Sequence, residues 1–124
     1  MKFQKIFAIS LPERADKQDG IRVAASLTNL SVNFLDGVYG ASVPPKALPH
    51  GFDRKPSVVG CWRAHMNVAA KMIDENIQTA LILEDDADWD VALKYQMVEF
   101  ARGSPVPDTL EQLTWVDRHI RSLM

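Results

Sequence analysis

The stretch Thr79-Ala80-Leu81-Ile82-Leu83-Glu84-Asp85-Asp86-Ala87-Asp88-Trp89-Asp90 constrains this chain more than any other. Its first half is a short apolar run of the kind that forms a strand buried on both faces. Its second half places five carboxylates within seven residues. A strand that is buried and then crowds negative charge at its carboxyl end is costly unless something positive gathers there. In open α/β sheets that rim is where ligands bind. A hard divalent cation with oxygen ligands is the natural occupant, and a cation so placed suits a phosphate-bearing ligand.

The segments around this stretch alternate in period. Residues 5–11 read as a first strand stopped by Pro12. Asp16 or Asp19 opens a helix through about residue 30, with Ile21, Ala24 and Ala25 facing inward. Residues 31–35 read as a second strand, followed by turn signals at Gly37 and Gly40. Residues 41–57 hold four prolines and a glycine and predict a long irregular segment, a lid or a mobile loop. Ser57 is positioned to cap a helix over residues 58–75. Its apolar face is Cys61, Trp62, His65, Met66, Val68, Ala69, Met72 and Ile73, and Asn76 is a left-handed stop. Residues 79–83 form the third strand, and Asp88 or Asp90 caps a helix to about residue 102. This order means an α/β fold with a small, mainly parallel sheet flanked by helices. Three strands are fewer than the roughly four to six of a typical sheet. Beyond Gly103 the character changes: Pro105 and Pro107 precede a tail with one helical pattern and no strand. The expected division is therefore a ligand-binding part over 1–103 and a divergent tail over 104–124.

Composition narrows the function. At 124 residues the chain is one domain at most. A net charge of −2 and the lack of any Lys/Arg block argue against nucleic acid as a partner. The single cysteine, Cys61, rules out an intramolecular disulfide and a cysteine-rich zinc site. It reads as buried filler, with no lysine nearby to lower its pKa. No apolar run is long enough for a membrane span. The default compartment is the cytosol.

Three constellations carry chemistry. In the acidic turn, Glu84 and Asp86 are two residues apart, so strand geometry projects them to the same side, where they can share one cation. Asp85 then points away, toward a backbone amide or a substrate hydroxyl. Asp88 and Asp90 read as helix caps or solvated charge. A calcium-binding EF-hand loop fails on spacing, because its required glycine is Val91 and its bidentate glutamate is Met97. A phosphoacceptor receiver domain fails on order, because its acidic pair follows the first strand. The bland alternative is a polar turn with a cap. The second constellation, Ser10-Leu11-Pro12-Glu13-Arg14-Ala15-Asp16-Lys17, follows a strand end and offers groups for a base, a ribose or phosphates. The third, Gly60-Cys61-Trp62-Arg63-Ala64-His65, opens the helix that leads into the acidic strand. Gly60 permits close approach of a ligand or of neighbouring backbone, and His65 reads as a hydrogen-bonded core residue.

In this order and spacing the trio resembles glycosyltransferase family 25, the lipooligosaccharide and procollagen galactosyltransferase-like group. The matching pieces are Leu11 with Arg14 and Asp16, then Gly60-Cys61 with His65, then the apolar strand ending in Glu84-Asp85-Asp86. The family often carries Asn where this chain has Ser10, and Ser where it has Ala64. The resemblance spans about residues 5–102 and implies the donor-binding half of a GT-A (Rossmann-like) fold. It implies a hexose transferred from a nucleotide-diphosphate sugar to a glycan, lipid or protein acceptor. Glu84 and Asp86 would bind the diphosphate through Mn²⁺ or Mg²⁺, and Arg14 and Asp16 would hold the nucleoside, with Leu11 and Gly60 lining it. Asp85 would touch the donor sugar, with His65 in support. It also admits a secretory-pathway location if an anchor lies outside this chain. The competing reading is a non-catalytic nucleotide-binding remnant or a structural α/β domain.

Overall fold

The computed structural model describes residues 3–103. Residues 3–91 lie in one compact unit. Its element order is β1 (Lys5–Ser10), α1 (Ala15–Leu27), β2 (Asn33–Asp36), two short 3-10 turns (Gly40–Ser42 and Pro45–Ala47), α2 (Pro56–Asp74) and β3 (Ala80–Glu84). The three strands form a parallel sheet in the order β2-β1-β3. Register places Ala8 beside Phe34 and Leu83, and Ile9 beside Leu35 and Glu84. The small parallel α/β fold expected from the alternation is present.

The connection from β1 to β2 moves one way along the sheet, and that from β2 to β3 moves the other way across β1. Parallel crossovers are right-handed, so α1 and α2 cover opposite faces. Consecutive residues of the central strand, Phe7 and Ala8, are both fully buried, which requires cover on both sides. Ile21 and Ala25 of α1 and Val59, Ala64 and Val68 of α2 complete the core. At the sheet edge, β3 is half-buried along its whole length rather than sealed on both faces.

Both helices end alike. Asn29 (φ 51°) and Asn76 (φ 53°) are left-handed, as expected for Asn76. Asn29 N–H donates to the Ser26 carbonyl and Leu30 N–H to that of Ala25, while Asn76 and Ile77 do the same to Ile73 and Met72. This is the paired Schellman closure of orphan carbonyls. The starts differ from expectation. No side-chain cap bond is made by Arg14 or Lys55 at the two N-cap positions. α2 begins at Pro56, before Ser57, because proline's fixed φ suits the first helical turn and its missing N–H is not needed there.

The buried seam of α2 is Gly60, Ala64 and Val68, at four-residue spacing. The expected wide apolar face is therefore only partly buried: Cys61 is exposed, as are Met66 (49%) and Ile73 (79%). The reason is size. A Cβ on Gly60 would meet the Val38 carbonyl oxygen at 2.2 Å, and one on Gly40 would meet the Pro56 carbonyl oxygen at 1.6 Å. Two glycines thus let the start of α2 lie directly on the backbone after β2. The proline-rich segment continues this docking, with Phe52 and Trp62 ring centroids 5.3 Å apart. It is a series of turns laid on α2.

α3 (Leu93–Gly103) belongs to a second unit. The Ala92 carbonyl accepts the Tyr95 and Gln96 N–H groups at its start, so it begins later than an Asp88 or Asp90 cap would place it. Arg102 pairs with Glu99 near its end. The helical pattern expected in the 104–124 tail lies outside the described residues.

Candidate functional site at the carboxyl rim of the sheet

β1 and β3 are neighbours, yet the chain leaves β1 toward β2. Their carboxyl ends therefore flank the position where strand order reverses, the usual ligand crevice of an open α/β sheet. The loop after β1 supplies Leu11 to Arg14, and the turn after β3 supplies Glu84 to Asp86. Ala87 N–H donates to the Glu84 carbonyl and closes that turn.

Strand alternation divides the acidic residues between the two faces. Asp85 goes to the α1 side and is 7% exposed. Its Oδ1 lies 2.9 Å from Arg14 Nη1, and its Oδ2 accepts a 2.9 Å hydrogen bond from Ser10 Oγ. Ser10 follows Ile9, and Asp85 follows the register partner of Ile9, so the serine and aspartate are brought side by side. Gln18 of α1 completes the group, its Nε2 donating to the Leu11 carbonyl (3.3 Å) and to Ser10 Oγ (3.4 Å). The Leu11 carbonyl also accepts the Arg14 N–H, which fixes the loop from which the guanidinium projects. Arg14 is held at one end by a buried carboxylate while its side chain stays 42% exposed.

Glu84 goes to the α2 side. Its Oε1 lies 3.2 Å from His65 Nε2 and 3.4 Å from Cys61 Sγ. The histidine and cysteine are one helical turn apart and meet the same oxygen. The His65 hydrogen bond is the main cause holding the Glu84 carboxyl below its ordinary value. Desolvation first, and then the negative charge of Glu84, push the Cys61 thiol up to about 11, with Asp86 adding to the effect. Asp86 itself is exposed. Among the described residues, no Lys or Arg pairs with Glu84 or Asp86.

Other expected residues fall as follows. Asp16 is exposed in the first turn of α1. Gly60 faces the backbone of Val38 and Gly40, so its close neighbour is protein. The Leu11 side chain packs where a Cβ on Gly37 would meet it at 3.1 Å. Asp88 accepts a hydrogen bond from its neighbour's Trp89 N–H. The Trp89 indole donates to Thr28 Oγ1 at 3.1 Å, tying the segment after the turn to the end of α1.

Several participants gave no advance signal. Ser10 stood out only as a departure from a family pattern, yet its hydroxyl buttresses Asp85. Tyr39, after β2, donates its hydroxyl to Glu13, after β1. That bond lowers the Glu13 pKa and raises that of Tyr39, and it joins two loops on the same rim. A shallow depression of about 330 Å³ lies elsewhere, between the second half of α1 and the start of β2, where Arg22 sits over the Phe34 ring. It belongs to the opposite end of β2 and has none of the rim's carboxylates.

The profile of glycosyltransferase family 25 (LPS biosynthesis protein) matches residues 3–120, past the Gly103 boundary expected from composition. The chain is 26% identical to procollagen galactosyltransferase 1-B of Xenopus laevis, over 78% of this chain and 18% of the relative. It is 23% identical to procollagen galactosyltransferase 1 of Danio rerio, again over 78% and 18%. The chain thus spans about a fifth of the length of these relatives. No described helix is long and apolar enough to cross a membrane.

Proposed function

The chain belongs to glycosyltransferase family 25, and from that premise we propose that it carries the donor-binding part of a metal-assisted hexosyltransferase. The donor is a nucleotide-diphosphate sugar, and the acceptor is a glycan, lipid or protein hydroxyl. One observation carries the reading. Where the strand order reverses, Asp85 anchors Arg14 on one side of the rim while Glu84 faces the other, followed two residues on by the exposed Asp86, and neither Glu84 nor Asp86 has a Lys or Arg partner among the described residues.

Glu84 and Asp86 fit a hard divalent cation, Mn²⁺ or Mg²⁺, because both are oxygen donors and, among the described residues, neither is paired with a Lys or Arg. When bound, the cation supplies Lewis-acid neutralisation of the departing nucleoside diphosphate. The chain's own residues do the rest. Arg14, pre-oriented by Asp85 and Ser10, turns its remaining N–H donors toward the nucleoside and phosphates without first having to order its side chain. Asp16 accepts from ribose hydroxyls. Asp85 has both oxygens engaged and acts through Arg14 as a positioning residue, while His65 fixes the rotamer of Glu84.

Differential scanning fluorimetry with nucleoside diphosphates and Mn²⁺ tests this reading. The expected result is a rise in Tm that needs nucleotide and metal together and is lost in Glu84→Ala/Asp86→Ala. No rise with the parent chain rejects the donor site. A rise without sugar transfer to any added acceptor supports the alternative, a nucleotide-binding module without turnover.

A further inference from the structure

Glu84 meets two side chains whose chemistry differs from that of an oxygen-only cation site. We propose that Cys61 Sγ, His65 Nε2 and Glu84 Oε1 form a three-donor site for a borderline transition-metal ion, Zn²⁺ or Co²⁺. This site shares Glu84 with the hard-cation pair but differs from it in ligand class, so the two ions are alternatives at that carboxylate. The three donor atoms lie within 4.8 Å of one another. The separations are 3.4 Å from sulfur to oxygen and 3.2 Å from nitrogen to oxygen. Two ligands of a tetrahedral zinc with bonds of about 2.3 Å (S) and about 2.0 Å (N or O) stand roughly 3.3–3.5 Å apart. The two pairs that share Glu84 Oε1 therefore already stand at the spacing of tetrahedral ligands, and the third pair lies within 4.8 Å.

The backbone explains this spacing. Cys61 and His65 are at i and i+4 on α2, so both project to one side. Gly60 and Ala64 draw that stretch of helix inward, bringing the pair over the end of β3. Thiol and imidazole favour zinc and cobalt over magnesium and manganese. Three protein donors leave a fourth position for water or another ligand. The site is also reachable, since Cys61 is exposed and the His65 and Glu84 side chains are 33% and 39% exposed. An ion there links α2 to the carboxyl end of β3.

Cobalt titration of the full chain tests the proposal without nucleotide or turnover, so its failure is separate from failure of the donor-site reading. Cys61 is the only cysteine in the sequence, so a thiolate-to-cobalt charge-transfer band reports this residue alone. The expected result is that band at one equivalent of Co²⁺, bleached by Zn²⁺. Cys61→Ser, with unchanged circular dichroism, abolishes it, and His65→Ala weakens affinity by at least about tenfold. Absence of the band in the parent chain overturns the proposal. So does an endpoint at half an equivalent, which means two chains sharing one ion through Cys61, or equal affinity in His65→Ala.

Discussion

Arg14→Ala is expected to cost more stability than its exposure suggests. A half-exposed arginine usually costs within about 0.5 kcal/mol to remove. Arg14, however, is the charge partner of Asp85, whose side chain is 6% exposed. Without it the carboxylate keeps, among the described residues, the Ser10 hydroxyl, itself 3% exposed. Breaking one side of a fully buried pair costs roughly 3–5 kcal/mol. Water can reach the Arg14 end here, so about 2–3 kcal/mol is the working figure. Asp85→Asn removes the charge but keeps the volume and an oxygen for Ser10, and should cost about 1–2 kcal/mol. The double variant should then be more stable than Arg14→Ala alone, because no uncompensated carboxylate remains. Urea unfolding followed by tryptophan fluorescence reads all four proteins at unchanged m-value. The cycle should give a coupling of roughly 1–2 kcal/mol. Additive costs, or an Arg14→Ala loss below about 0.5 kcal/mol, would refute the idea that Asp85 needs Arg14.

Other consequences are more local. Gly60→Ala puts a methyl 2.2 Å from the Val38 carbonyl oxygen and must displace backbone; a loss of about 3 kcal/mol or more in urea is expected. Gly20→Ala, inside α1 with nothing within 4 Å of the new Cβ, should instead gain up to about 1 kcal/mol. Glu84 has a folded pKa below the ordinary 4.5, so its stabilisation is complete above that value and is lost as pH falls through the lowered one. The group is half-exposed, so the loss stays under about 1 kcal/mol. Stability measured from about pH 5 to pH 3 should fall less steeply in Glu84→Gln than in the parent. Tyr39→Phe should remove the effect of the same sign that arises from Glu13.

What could be read from sequence, and what could not, follows from the range of each interaction. Strand and helix periods, the turn glycines and the Asn76 stop are local, and they placed every described strand and α-helix to within a few residues. The face of α2 was misjudged because hydropathy ranks Met66 and Ile73 above Gly60 and Ala64, whereas close packing on residues 38–40 selects for small size. The same rotation moves Cys61 and His65 out of the core and onto Glu84. Ser10 and Asp85 are 75 positions apart. Their meeting depends on the β1–β3 register, which no local pattern encodes.

The order of the three acids acquires a physical meaning once the sheet is known. Because Glu84 ends β3 and Asp85 follows it, one points to α2 and the other to α1 whatever their chemistry. The α1 side offers a loop arginine and a buried serine, so the carboxylate there can be buried and can anchor a cation of the protein's own. Among the described residues the α2 side offers a thiol and an imidazole but no Lys or Arg, and its carboxylate stays half-exposed. Exchanging Glu84 and Asp85 would keep the composition of the turn but would leave the shorter Asp side chain facing α2 and the longer Glu crowded against Ser10. The site depends on which acid occupies which parity of the strand, so the swapped Glu84→Asp/Asp85→Glu chain should lose both the Arg14 coupling and the His65 contact while keeping its net charge.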